Sequence, residues 1–395
     1  MGKVLRLVCK PSEYVRGASI EELRRTVSKK FNGATGLFFS GREALLSYFK
    51  AIHLRPGEEV IVQGYTCVVV PNAIHAAGGV PIYADISEET LNLSPESVAA
   101  CITPRTRAVI CQHTFGIPSD TKGLRTLCDT HGILLIEDCA HIIPDDTGPQ
   151  EIGRLGDAIL LSFGRDKAVS GITGGAIITR DPDASLEIAL LESNAIELPW
   201  RKVFTLLTYA PRMAFIVRPL VWSGLQKPIL ALLNALGLFS PILTEEEREG
   251  RMDPLLRKIP NACATLALYS LSRIQKINDH RRMLTAFFLA YGKKAKWPLL
   301  QGITGDMPLQ KFPLFVSRAK EKRTALREKN IHLDDGWTGC VVCPETVDIT
   351  ETGYLSGSDP AAEKACKAIL SLPTHPTMNL KQAKFLAERI DELLK

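Results

Sequence analysis

Asp138 closes the apolar run "ILLIED", and Lys167 follows the apolar run "AILLSF" 29 residues later. Both runs read as strands, so both polar residues stand at one sheet edge, where parallel sheets bind their ligands. A carboxylate at that edge suits Mg²⁺, substrate hydroxyls or a protonated ring nitrogen, or simply caps the next helix. Lys167 precedes Gly171, Gly174 and Gly175. A P-loop lysine follows its glycines, so order excludes that reading and leaves covalent chemistry or a plain surface charge. A third stretch, "FFSGREALLSYF", places Ser40 and Glu43 at the S-x-x-E spacing of a capping box. A helix start of this kind also offers backbone N–H groups to a phosphate, and Gly41 lets a ligand approach closely.

Together the three stretches suit pyridoxal phosphate. That cofactor needs a lysine for a Schiff base, an acid opposite its pyridinium nitrogen and a phosphate cup. A charge-assisted hydrogen bond to the ring nitrogen is worth about 1.5–3 kcal/mol. A lysine must be neutral to attack. At its unperturbed pKa roughly 1 in 2,500 is neutral at pH 7, so a reactive lysine needs a site that depresses it.

The elements that must carry these residues alternate. Strands are expected at "GLFF" (36–39), "EVIVQ" (59–63), "VPIYAD" (80–85), "RAVICQ" (107–112), "ILLIED" (133–138), "AILLSF" (158–163) and "GAIIT" (175–179). Helical patterns lie between them at 41–52, 69–77, 94–102 and 121–131, with Ser94 as cap and Pro95 at the first position of the third. This alternation predicts an α/β fold, a mostly parallel sheet with helices on both faces. The spacing predicts one long helix over 261–291, strand and turn segments near 307–316, a helix over 317–330 and an amphipathic helix over 380–395. The expected division is a large cofactor-binding domain at 1–250 and a smaller α+β domain at 251–395.

The segment 196–250 is apolar, with Arg201, Lys202, Arg212, Arg218 and Lys227 interleaved and Pro211, Pro219 and Pro228 breaking it into short helices. It reads as buried interface helices or as a basic, apolar surface for anionic lipid. The whole chain of 395 residues carries a net charge of +5, too mild to suggest a nucleic-acid partner. The ten cysteines are scattered, as for reduced thiols in the cytoplasm. Cys340 and Cys343 form a C-x-x-C with no second pair, so no metal site is expected. The N-terminal "MGKVLRLVCK" is too short and charged for a secretory signal, and Arg6 stands where a myristoylation signal has Ser or Thr.

These motifs resemble the DegT/StrS-like family of sugar aminotransferases, pyridoxal-phosphate enzymes of fold type I. "FFSGREAL" is similar to the family's phosphate loop, "IEDCAHI" to its E-D-x-A-[QH] signature and "SFGRDKAVSGITGG" to its lysine signature. "ITPRTRAVICQHTFGIPSD" resembles its I-T…H-x-x-G run, and "AILSLPTHPTM" its closing L-P-x-x-P element. The resemblance implies Lys167 as the Schiff-base lysine, Asp138 as partner of the ring nitrogen and His141 near the ring's 3-hydroxyl. Ser40, Gly41, Arg42 and Ser162 would cradle the phosphate. It further implies glutamate as amino donor, a keto group on a nucleotide-linked sugar as acceptor, and a cytoplasmic homodimer.

The chain departs from the pattern at four places. Arg42 replaces a small hydroxyl residue, and Cys67 stands where an aromatic ring stacks on the cofactor, leaving Tyr65 as the nearby aromatic. "RKIPNACATLAL" lacks the N-x-R element that reaches the partner subunit's phosphate, and Thr173 replaces Glu in the glycine run. These departures support a second expectation, a cofactor-binding regulator without turnover. A nucleotide-binding oxidoreductase is disfavoured because no G-x-G-x-x-G follows the first strand.

Overall fold

The computed structural model describes residues 2–147, 151–217, 219, 225–235, 237–238, 241–333 and 336–394. Its strands in chain order are β1 Ala34–Phe38, β2 Glu59–Gln63, β3 Thr66–Cys67, β4 Val80–Ala84, β5 Thr106–Gln112, β6 Leu134–Asp138, β7 Ala158–Ser162, β8 Gly175–Thr179, β9 Lys311–Phe315, β10 Val342–Cys343 and β11 Ile369–Pro373. The main sheet runs β1-β8-β7-β6-β5-β2-β4. Neighbours from β4 through β7 are parallel, and β8 is antiparallel to both β7 and β1.

Alternation along each strand builds two cores. On β7, Ala158 and Leu160 face the helix Gly41–Ala51, while Ile159 and Leu161 face the helix Ala18–Phe31. The central strands are buried on both faces, which is why they read as continuous apolar runs. The expected helices form at Val69–Ala76, Pro95–Ala99 and Thr121–His131, with Ser94 accepting the Ser97 N–H as cap.

Two expectations change. The long helix over 261–291 is two helices, Asn261–Leu271 and Ile274–Ala295, broken at Ser272–Arg273. The first buries Cys263, Ala264, Ala267 and Leu271 against Leu23, Val27 and Phe31 of the large unit, while the second contributes Leu284 and Phe288 to a separate core. In the 196–250 segment, Pro211 sits inside the helix Trp200–Arg212, which passes into a π-type turn at Met213–Val217. Pro228 lies in the first turn of the helix Gln226–Ala235, where a proline is tolerated; Arg218 lies outside the described residues.

The small unit centres on the antiparallel pair β9–β11, covered by the helices Ile274–Ala295, Ala319–Glu328, Pro360–Ala368 and Leu380–Leu394. Its strand β10 pairs in parallel with β3, the short strand that carries Cys67. No helix among the described residues is long and apolar enough to cross a membrane.

Among the described glycines Gly175 comes nearest to other backbone. It lies between Phe38 and Ser162 in the register, and a Cβ there would fall 2.4 Å from the Gly41 nitrogen and the Ser40 carbonyl carbon. Both obstacles are backbone and cannot rotate away. Gly175→Ala is expected to lower the stability of the large unit by about 1–3 kcal/mol, the usual range for overpacking. A denaturant midpoint equal to wild type would contradict this contact.

Candidate active site

The parallel order of β5, β6 and β7 brings their carboxyl ends to one edge, with Asp138 beside Gln112 and Leu160 in the register. Asp138 is buried. Its Oδ1 accepts the Ala140 N–H at 2.9 Å, and its second oxygen has no hydrogen bond among the described residues. Burial pushes its carboxyl upward, opposed by the Ala140 bond and then by the charges of Lys167 and His113. Lys167 is half-buried and makes no ion pair among the described residues. Its charge nevertheless acts on Asp138, His141 and Cys67, so all four face one space.

The loop between β7 and β8 presents Lys167 through backbone closure. Phe163 donates to the Gly174 carbonyl at 2.8 Å and accepts from Gly171 at 2.9 Å, and Lys167 N–H reaches Gly164 at 3.2 Å. A Cβ on Gly171 would lie 2.7 Å from the Cys263 carbonyl. Thr173, where the family pattern has Glu, donates its hydroxyl to the Phe39 carbonyl at 2.6 Å and so ties the glycine run to the helix start. Ser162 is adjacent: a Cβ on Gly41 would lie 3.4 Å from its Oγ. The Ser162 hydroxyl takes no partner among the described residues.

The expected capping box at this helix start is only half formed. Ser40 Oγ accepts the Glu43 N–H at 3.3 Å, but the Glu43 carboxylate turns away and accepts the Arg257 backbone N–H at 2.7 Å and its Nη1 at 3.1 Å. The segment that lacks N-x-R thus anchors this helix instead. Arg42 also turns away from the helix axis. Its guanidinium pairs with Glu247 and donates to the Ile242 carbonyl at 2.9 Å, so its side chain is committed away from the helix start.

His141 is buried with its Nδ1 accepting the Phe115 N–H at 3.1 Å. Burial, then the charges of Lys167, Lys311 and Arg281, hold its imidazole well below the usual range, so it is neutral and carries its proton on Nε2. It packs edge-on to Trp337, with ring centroids 4.8 Å apart. Tyr65 does not line the open space. It is fully buried, and its hydroxyl donates to the Trp337 carbonyl. Cys67 is the residue on that wall, a thiol kept protonated chiefly by burial.

Sequence reading missed the support beneath Asp138. The adjacent Glu137 accepts three backbone N–H groups, from Gly153 at 2.7 Å, Leu155 at 2.8 Å and Gly156 at 2.6 Å. His113 stands 3.4 Å from its Oε2 and accepts the Ser119 N–H on Nδ1. The ligand atoms of His113, Glu137 and Cys139 lie within 4.8 Å of one another, but the His and Glu are already committed to these bonds. The signals were the H-x-x-G run that contains His113 and the Glu that opens the E-D-x-A-[QH] signature. Phe115 in that run adopts φ 56°, a left-handed conformation that strains an aromatic residue.

The fit to pyridoxal phosphate rests on what is left over. Among the described residues Asp138 offers one unpaired carboxylate oxygen, Ser162 an unpaired hydroxyl beside the helix start, and Lys167 an ammonium without an ion pair. A mostly parallel seven-stranded sheet with such an edge and a smaller C-terminal unit is the fold of the fold-type I pyridoxal-phosphate transferases. The chain belongs to the DegT/DnrJ/EryC1/StrS aminotransferase family, whose model matches residues 3–216.

It is 32% identical over 156 residues, 39% of the chain, to UDP-N-acetyl-3-dehydro-alpha-D-glucosamine 3-aminotransferase of Acidithiobacillus ferrooxidans, and the match spans 42% of that relative's length. It is 23% identical over 393 residues, 99% of the chain and 93% of the relative, to a pleiotropic regulatory protein of Geobacillus stearothermophilus. Among solved structures, NtdA of Bacillus subtilis with bound cofactor PMP superposes with a TM-score of 0.75 at 19% identity, covering 100% of this chain and 81% of that one.

Glu43 gives a pH prediction. Burial raises its carboxyl from 4.5 to about 7 despite the bonds from Arg257. The protonated form is favoured in the fold, so stability is fully present below pH 4.5 and is lost as pH rises through about 7. At about 1.4 kcal/mol per unit, the loss is roughly 3 kcal/mol. Glu43→Gln is expected to gain that much on wild type between pH 4.5 and 8 in thermal unfolding. A difference that does not change with pH would mean that Glu43 is ionised in its Arg257 pair.

Proposed function

We propose that this protein is a pyridoxal-phosphate-dependent aminotransferase that moves an amino group, from glutamate, to a keto group on a nucleotide-linked sugar or related carbohydrate. The observation that carries the reading is the pairing of two uncommitted groups, the free Asp138 oxygen and the free Lys167 ammonium, at one sheet edge. The family membership and the sugar substrate in the name of the Acidithiobacillus relative support it.

When bound, the cofactor supplies an aldehyde that joins to amines and a ring that draws electrons from the neighbouring carbon. Asp138 would hold the proton on the ring nitrogen through its unpaired oxygen. Ser162 and the first-turn N–H groups of the helix Gly41–Ala51 would hold the phosphate. Lys167 would carry the cofactor through Nζ and, once displaced by an amine, move a proton at the reacting carbon. His141, neutral and fixed through Nδ1, would present Nε2–H toward the ring's hydroxyl. Glu137 keeps Asp138 in place by stitching residues 153–156 beneath it. A cytoplasmic homodimer is part of the same proposal, supported by the exposed Leu186 and Leu190 on one helix.

A second reading, a cofactor-binding regulator, is favoured by one observation: the relative that spans nearly the whole chain is named a pleiotropic regulatory protein. We also propose that the 196–250 segment rests on anionic lipid. No acidic residue occurs from 198 to 244, and Trp200, Phe215, Ile216 and Leu232 are exposed there beside Arg201 and Lys202.

Purified wild-type protein is expected to show a visible cofactor band that Lys167→Ala abolishes, and glutamate should bleach that band. A coloured protein that no amino donor bleaches would favour the regulator. Wild type should sediment with vesicles rich in anionic lipid and not with neutral ones, and a 203–240 deletion should stay in solution with both. Equal, negligible sedimentation would remove the lipid contact.

A further inference from the structure

The closing L-P-x-x-P element reaches the site through one glutamine. Thr374, fully buried just after β11, shares its hydroxyl proton between the Leu309 and Gln310 carbonyls, at 2.6 and 2.7 Å. This fixes the turn in front of β9, whose first residue, Lys311, lies opposite Pro373 in the register. Gln310 then reaches out of the small unit twice. Its side-chain Nε2 donates to the Asp166 carbonyl at 2.7 Å, and its backbone N–H donates to the Phe115 carbonyl at 2.7 Å. Phe115 is the left-handed residue whose own N–H fixes His141 through Nδ1. One residue thus holds backbone on the lysine's side of the site and on the histidine's side.

The Asp166 carbonyl belongs to the peptide that leads into Lys167. The N–H of that same peptide reaches Gly164 at 3.2 Å, so the bond from Gln310 is the shorter of the two. Packing alone does not call for a glutamine here. Gln310 is 5% exposed, and its Oε1 is sealed from solvent with no hydrogen-bond partner. An unpaired buried amide oxygen is unfavourable, and an apolar side chain of similar length would avoid it. What such a side chain could not supply is the Nε2 donor.

We propose that Gln310 is a positioning residue for Lys167: its amide fixes the Asp166–Lys167 peptide, and so the direction in which the lysine leaves the backbone. The inference rests on the aminotransferase reading for what the lysine then does. Holding the lysine by its peptide has a chemical advantage over holding it by its ammonium. An ion pair at Nζ would favour the charged form, and the attacking lysine must be neutral. A backbone anchor aims the side chain and leaves Nζ uncommitted.

The test compares wild type with Gln310→Met, which keeps the length and loses the donor, and Gln310→Asn, which keeps the amide and draws it back by one methylene. Each is loaded with pyridoxal phosphate. In both variants the rate of bleaching at saturating glutamate should fall about tenfold or more, as for a misaimed reacting group. The half-saturating glutamate concentration should change less than about threefold, because the lost interaction is not one with the donor. The melting temperature of Gln310→Met should stay within about 2 °C of wild type. In protein without cofactor, amide hydrogen exchange over residues 164–167 should quicken about tenfold in Gln310→Met, with the β6 amides unchanged. Unchanged exchange over 164–167 would overturn the proposal whatever the melting temperature, as would faster exchange with unchanged bleaching. A raised half-saturation at an unchanged limiting rate would also overturn it, by making Gln310 a donor-binding group. If no amino donor bleaches the wild type, the aminotransferase reading falls, and the exchange measurement still decides whether Gln310 holds the lysine's peptide. Should Gln310→Met not fold, Gln310→Asn carries the same comparison.

Discussion

The site depends on two backbones passing closer than any side chain would allow. Ser40 and Gly41 start one helix, Gly174 and Gly175 start β8, and they touch without a Cβ between them. That contact sets the helix start beside Ser162 and turns the 163–174 loop so that Lys167 stands over the edge of β6. Thr173 adds a hydrogen bond to the same junction. The glycines that follow the lysine are therefore there for approach rather than for flexibility. Their partner is the protein's own backbone.

Beneath this junction, two consecutive carboxylates are put to opposite uses. Glu137 points down into a loop that surrounds it with N–H donors, and together with His113 these keep it ionised in spite of its burial. Asp138 points up, receives one N–H and keeps an oxygen spare, and burial makes it hold a proton more readily. Strand alternation alone separates them, one residue per face. A saturated carboxylate positions the backbone, and an unsaturated one is available to a ligand.

The sheet was legible because its strands are buried on both faces and so leave unbroken apolar runs. Lys167, Asp138 and Ser162 were legible because strand ends fall at fixed places in such runs. Arg42, Glu43 and Tyr65 were not. Each is settled by a partner more than 200 residues away, Glu247, Arg257 and Trp337, and no local spacing carries that information. The break at Ser272–Arg273 was hidden for a related reason. Apolar residues recur at helical spacing through both flanking helices, and only their different cores tell them apart.

The pairing of β10 with β3 ties the two units at the wall of the site. Backbone hydrogen bonds join Thr66 to Val341 and Val68 to Cys343, so the strand bearing Cys67 belongs mechanically to both. A small unit stitched in this way cannot swing as a free flap. Displacing it would pull on the Cys67 wall. The core under the small unit also takes in Tyr65, Val68, Phe115 and Ile117 behind that wall, so the two units share packing as well as strand.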